Sequence, residues 1–309
     1  MSKATPFFSV IIPTRNRAEL LSRCINSILN QKFKDFEVII IIDGSNDHTL
    51  NLLQSIEDER ITYFYQDANE RSAARNKGVE MASGKYVCFI DDDDYISELY
   101  LWDFYQYHAN NSNRKVILRT GFWKENSSKK WRTINYEPSK HQNPVKFATY
   151  NMCGLWTLCI PRTSLMPQPF PEKYPHWQDT HLILRLFLRF PMVQLENWNY
   201  YYQIHDAMGS KSATKDFDPI SRADLNVDAI KDLFRNYEKE LSQYLRSDTL
   251  NFLIAEKYIQ YFNNTYRNRK MVVNPLLRKS INRGIFLRLW KHYIYSGYYM
   301  IKDRMNLGK

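Results

Sequence analysis

The chain has 309 residues, room for one large domain or a domain with an extension, and its 22 Tyr, 17 Phe and 7 Trp can fill a sizeable core. Its net charge of +10 is uneven: residues 251–309 hold 12 of the 43 Lys and Arg but 2 of the 33 Asp and Glu, leaving residues 1–250 balanced at 31 each. A neutral body argues against a nucleic-acid-binding protein, and the lack of any run of about 18 apolar residues argues against a membrane span.

In chain order, "FFSVII" is a short apolar run closed by Pro13, and Asn16 with Glu19 has the spacing of a capping box. The helix it would start carries Leu20, Leu21, Cys24, Ile25, Ile28 and Leu29 on one face. "EVIIII" (37–42) reads as a second buried strand, followed by "DGSND" and a short helix with Leu50, Leu52, Leu53 and Ile56. "RITYFY" (60–65) is a third strand, "RSAARNKGVEMASG" a helix ended by Gly84, and "KYVCFI" (85–90) a fourth strand. Strands alternating with helices predict an α/β fold with a mostly parallel, Rossmann-like sheet flanked by helices. Beyond residue 115 the pattern loosens to "VILRTGFW", "LWTLCIP", a helix "DTHLILRLFLRF" (179–190), and "VQLENWNYYYQIH". From about 219 it is mostly helical, so the division expected is 1–210 and a helical, basic extension over 211–309.

Ligands of parallel α/β sheets bind beyond the carboxyl ends of the strands. Pro13-Thr14, Asp43-Gly44 and the run Asp91–Asp94 all fall at such ends. None of the nine glycines are spaced as G-x-G-x-x-G or G-x-x-x-x-G-K-[ST], so neither common phosphate loop is present. An EF-hand is excluded too, because Ile96 stands where its loop needs glycine. Four adjacent carboxylates repel one another unless a cation joins them, and hard oxygen ligands suit Mg2+ or Mn2+. The plain alternative is a solvated acidic turn; position beside two other polar clusters favours the cation. Cys24, Cys88, Cys153 and Cys159 form no C-x-x-C, which suggests reduced thiols, and "MSKATPFFSVIIPTRNR" lacks the features of a signal peptide. The expected location is cytoplasmic, soluble or peripheral on the inner face of the plasma membrane.

Four stretches, "FSVIIPTRNRAELLSRCINSILNQ", "FEVIIIIDGSNDHT", "RSAARNKGVEMASGKYVCFIDDDD" and "WQDTHLILRL", resemble in order and spacing the inverting family 2 glycosyltransferases, which have the GT-A fold. The resemblance covers roughly residues 7–210. It implies that Pro13, Thr14 and Arg17 line a nucleoside pocket, with Asp43 hydrogen-bonding the base, uracil in most relatives. Asp43 could instead cap the helix after it, a role better suited to Asp47. The resemblance also implies that Arg71 and Arg75 lie near the diphosphate and that Asp91 and Asp93 form the D-x-D pair, Asp93 holding the metal. Asp92 or Asp94 would touch the ribose or the sugar hydroxyls. Asp179 would be the catalytic base, in a position that also suits a helix cap, and His205 would complete the metal site or touch the diphosphate. Two departures are Gln178, where relatives carry Glu, and Glu70, where they often carry Gly. Trp177 and His176 could stack on a sugar.

The activity so implied is transfer of a sugar from a nucleotide-sugar, UDP-linked by resemblance, to a saccharide or lipid-linked acceptor in surface polysaccharide or glycolipid assembly. Rival readings are a phosphohydrolase, which needs its Asp pair on the first strand, a nucleotidyltransferase, which lacks its glycine-rich loop here, and a basic nucleic-acid-binding protein. In residues 275–309, Ile285, Phe286, Leu289, Trp290, Tyr293 and Ile294 interleave with Arg283, Arg288 and Lys291. That pattern suits an anionic membrane surface or a packed helix pair with a basic outer face.

Overall fold

Apolar β-branched runs at the start of the chain build the centre of the sheet. In the computed structural model, which describes residues 5–267 apart from 69, 112–113, 166–168, 175 and 206–218, the first strands are β1 (Phe8–Thr14), β2 (Phe36–Asp43), β3 (Ile61–Gln66) and β4 (Tyr86–Phe89). They pair in parallel in the order β3-β2-β1-β4. Helices α1 (Ala18–Leu29), α2 (Thr49–Gln54) and α3 (Glu70–Met81) make the crossovers. Then follow β5 (Tyr95–Ile96), α4 (Tyr100–Asn110), β6 (Ile117–Glu125) and β7 (Lys130–Arg132). The short helices α5 (Pro138–His141) and α6 (Pro144–Tyr150) lead to β8 (Leu158–Pro161), α7 (Gln178–Arg189) and β9 (Met192–Gln203). The sheet continues from β4 through β8, β6 and β9 to β5, with β7 on β6. Here β8 is antiparallel to both its neighbours, β9 is parallel to β6, and β5 and β7 are antiparallel.

Alternation decides which face each residue serves. Phe8, Val10 and Ile12 of β1 join Leu21, Cys24, Ile25 and Ile28 of α1 and Tyr100, Leu101 and Phe104 of α4 in the main core. Ile11 points the other way, against α3. Each such large side chain withdrawn from water contributes roughly 1.5–3 kcal/mol. β3 is the edge strand, with Tyr65 59% exposed, so its aromatic residues stay partly in solvent.

Gln31, fully buried, ties the core to the segment that joins β5 to α4. Its Nε2 donates to the Ser97 carbonyl at 2.6 Å, and its Oε1 accepts from the Leu101 amide at 2.9 Å at the start of α4. All four cysteines are free thiols.

The chain divides into two compact units, Met1–Ser212 and Ala213–Lys309. In the second, the helices Pro219–Leu241 and Thr249–Arg267 pack together, with Val227, Ile230, Leu233, Leu253 and Ile254 buried and the Tyr258 hydroxyl donating to Asp224 at 2.6 Å. The first of them bends at Tyr237, where the backbone leaves helical geometry. The stretch 275–309, with its aromatic and basic pattern, lies outside the described residues. Among the described residues no helix is long and apolar enough to cross a membrane.

Candidate active site

The carboxyl ends of β1, β2 and β4 bring the polar clusters together. β1 ends in Thr14, whose hydroxyl donates to Asp92 Oδ2 at 2.8 Å. Three residues later Arg17 spans two carboxylates, with NH1 at 2.9 Å from Asp92 and 2.6 Å from Asp93. On the other flank Arg75, 2% exposed, reaches from α3 to Asp91 at 2.9 Å and to Asp179 at 2.5 Å, with its guanidinium over the Phe170 ring. Repulsion in the Asp91–Asp94 run is therefore relieved first by the chain's own guanidinium groups.

Asp94 is fixed differently. Its Oδ2 accepts from the Tyr200 hydroxyl at 2.6 Å and its Oδ1 from the Gln203 amide at 2.8 Å, both on β9. One oxygen each from Asp91, Asp93 and Asp94 lie within 4.8 Å of one another, a hard-oxygen donor set that fits Mg2+ or Mn2+. His205 Nε2 stands 3.2 Å from Asp93 Oδ2, beside that trio. Arg23 donates to the Asp93 carbonyl at 2.7 Å.

Burial dominates the titration of these groups. It pushes Asp92 up to about 6 against the pull of Arg17. It also drives Asp94 well above the usual carboxylate range, helped by repulsion from Asp93 and Asp91. Asp179 is raised by desolvation in spite of Arg75, yet its side chain keeps 34% exposure, so the carboxylate still meets solvent. A raised pKa makes a carboxylate a stronger base, the property a general base uses.

The residues expected to line a nucleoside pocket lie at the ends of β1 and β2. Pro13 and Thr14 sit in β1 opposite Ile41 and Ile42 of β2. Asp43, buried at the tip of β2, accepts from Gln66 Nε2 at 2.8 Å. Asp47 takes the capping role, accepting from the Thr49 amide at 3.0 Å at the start of α2 and from the Ala18 amide at 3.2 Å at the start of α1. Asn16 is thus not the cap of α1: its backbone has φ 53°, and its side chain accepts instead from the Asn46 amide at 2.7 Å. Arg71 is exposed on the first turn of α3, where its charge still acts on Asp179.

Backbone in the left-handed region collects around this edge. Asn16 precedes Arg17, Gly44 follows Asp43, Glu70 precedes Arg71, and Trp177 stands two residues before Asp179, with φ of 53°, 66°, 80° and 66°. Such conformations cost a side chain about 1 kcal/mol or more and gather where geometry serves a ligand. At Gly44 a Cβ would also lie 2.7 Å from Ala68. Glu70 accepts the strain that a glycine would avoid. Sequence reading missed the grip of Tyr200 and Gln203 on Asp94 and the bridge from Arg75 to Asp179, because both join residues about a hundred positions apart. The alternation in "NWNYYYQ" was the available signal for the first.

The model of the family described as "Glycosyl transferase family 2" matches residues 9–166, half of the chain. The chain belongs to glycosyltransferase family 2. Among curated relatives of this chain, the GalNAc(5)-diNAcBac-PP-undecaprenol beta-1,3-glucosyltransferase of Campylobacter jejuni is 44% identical over 93 residues, 29% of this chain and 30% of that protein. The poly(ribitol-phosphate) beta-N-acetylglucosaminyltransferase TarP of Staphylococcus aureus is 40% identical over 118 residues, 37% of this chain and 36% of that protein. The matched stretches therefore span about a third of those relatives. The crystal structure of S. aureus TarS 1-349 in complex with UDP-GlcNAc superposes with a TM-score of 0.59 at 16% identity, covering 90% of this chain and 89% of that one. That likeness establishes the fold of the family 2 chain as GT-A.

Proposed function

We propose that this glycosyltransferase moves a sugar from a UDP-sugar to an acceptor hydroxyl with inversion, in assembly of a surface polysaccharide or glycolipid. The observation that carries the reading is Arg75, which joins Asp179 on one side to Asp91 on the other. A base and a leaving-group site separated by one guanidinium suit a single displacement, in which attack and departure occur on opposite sides of the anomeric carbon. Asp179 accepts the proton of the acceptor hydroxyl as it attacks, and no enzyme nucleophile is needed. Asp91, Asp93 and Asp94 would hold Mg2+ or Mn2+, which supplies positive charge to the departing diphosphate. His205 beside Asp93, and Arg71 with Arg75, add donors on the diphosphate side. Pro13, Thr14, Arg17, Asp43 and Asp92 line the nucleoside side, and residues 1–210 make up the catalytic domain.

A UDP donor is supported by the UDP-GlcNAc complex of TarS, and a lipid-linked or polymeric acceptor by the names of the Campylobacter and Staphylococcus relatives. Residues 211–309 are the extension, and the basic pattern of 275–309 suits an anionic membrane surface on the cytoplasmic side. The test is calorimetric titration with UDP in Mn2+, in Mg2+ and in EDTA. Binding that needs metal and is lost in Asp93→Asn is expected. Absence of UDP binding under every condition would send the reading to another nucleotide or sink it.

A further inference from the structure

The active site leaves unexplained the outer face of the far end of the sheet. Phe122, Tyr200 and Ile96 point into the core, so alternation places Trp123, Tyr201 and Tyr95 on the opposite face. Register aligns Arg132, Trp123, Tyr201 and Tyr95 in one cross-strand row over β7, β6, β9 and β5.

Cations and rings alternate along that row. The Arg132 guanidinium lies 4.8 Å from the Trp123 ring centre and 4.6 Å from that of Trp198. Lys130 Nζ lies 4.9 Å from Trp123 and 4.3 Å from Tyr201. Tyr201 and Tyr95 stack at 4.5 Å with planes 3° apart, and Arg23 sits 5.3 Å from Tyr95. Arg23 is the same residue that donates to the Asp93 carbonyl, so the row runs into the carboxylate cluster. Trp198 is held flat across Gly121, where a Cβ would come within 2.7 Å of the indole.

The charges on this face lack acidic partners of their own. Arg23, Lys130 and Arg132 are exposed, and among the described residues none is paired with a carboxylate. Glu125, the acid whose charge acts on both Lys130 and Arg23, is itself held by the Tyr95 hydroxyl at 2.6 Å and Gln203 Nε2 at 3.0 Å. Aromatic edges and faces give a sugar ring an apolar seat, and cations locked onto those rings keep N–H groups free for anions.

We propose that this face is a track for an anionic glycan strand, with sugar rings against Trp123 and Tyr201 and anionic groups on Lys130 and Arg132. It rests on the transferase reading in that the strand is the acceptor, delivered past Arg23 to Asp179. The test is calorimetry on the full chain with three probes of equal length: a phosphodiester-linked polyol, an oligouronate and a neutral dextran oligosaccharide. The first two distinguish phosphate from carboxylate as the anion. At least one of them should bind in a salt-sensitive way and dextran should not. The double variant Lys130→Ser/Arg132→Ser and the single reversal Lys130→Glu should each bind about tenfold or more weakly, with UDP binding unchanged as the check on folding. Unchanged glycan affinity in both variants, equal binding of dextran, or tighter binding of oligothymidylate of equal charge would overturn the track. Glycan binding without UDP binding in the unmodified chain would support the track and remove the donor site alone.

Discussion

The two halves of the sheet are built by different rules. In β3-β2-β1-β4 the strands run parallel, and the central ones are almost wholly apolar along their length, so each ends in a polar turn that can serve chemistry. In β8-β6-β9-β5 the directions are mixed, and on β6, β9 and β5 the core-facing Phe122, Tyr200 and Ile96 alternate with outward Trp123, Tyr201 and Tyr95, which lie beside the cations of β7. The first half supplies the ends of strands as ligand sites; the second supplies faces. A fold that needs both a small enclosed donor site and a broad acceptor surface can assign one to each half. The carboxylate cluster lies where they meet, since Arg75 comes from a helix on the parallel half and Asp179 from the helix leading into β9.

The largest expected effect cuts at that meeting point. Asp179→Asn should lower transfer by roughly 10²–10⁴-fold while leaving UDP binding intact, read by comparing turnover with calorimetry. Its raised pKa places the acid limb of the transfer profile above the ordinary carboxylate value of about 3.9, with activity lost as pH falls through that pKa.

His108 marks the same seam lower in the core, stacked on Tyr86 of β4 at 3.8 Å and with Nε2 3.8 Å from Cys159 Sγ of β8. Burial holds its pKa at about 4, below the ordinary histidine value of 6.5. Between those values the unfolded chain binds the extra proton, so stability falls as pH drops from 6.5 toward 4, by at most ~3 kcal/mol. Urea titrations across this window should show a shallower pH slope for His108→Gln than for the unmodified chain; parallel slopes would show that the seam does not hold a neutral imidazole.

Arg75→Met should cost about 2 kcal/mol in the same assay. This is less than for a fully buried ion pair, because Asp91 and Asp179 remain partly wet. The smallest effect lies within the parallel half. Glu70→Gly should raise stability by about 1 kcal/mol by relieving φ 80°, seen as a higher melting temperature. An unchanged value would mean that the glutamate side chain offsets its own strain.

Legibility followed the same division. Val38–Ile42 and Val10–Ile12 announce buried strands by composition alone, and Asp91–Asp94 announce a charge problem, so the parallel half and its edge were readable from local sequence. What was not readable needed distant partners. Nothing near Asp94 reveals that Tyr200 and Gln203 will hold both its oxygens, and nothing near Asp179 reveals Arg75. Asn16 misled for a local reason: its spacing to Glu19 imitates a capping box, but the cap comes from Asp47 across the loop. Lys130 and Arg132 fall in a stretch without periodic pattern, and only the register of β7 on β6 sets them over Trp123.

Asp47 has one further consequence. By accepting from the amides of both Ala18 and Thr49, and with Asn16 bonded to Asn46, it laces the loop after β1 to the loop after β2. Two loops that could open independently become one cooperative unit, so their amides exchange with solvent in a single opening event. The ends of β1 and β2 then loosen or close together, and a ligand that orders either loop orders both.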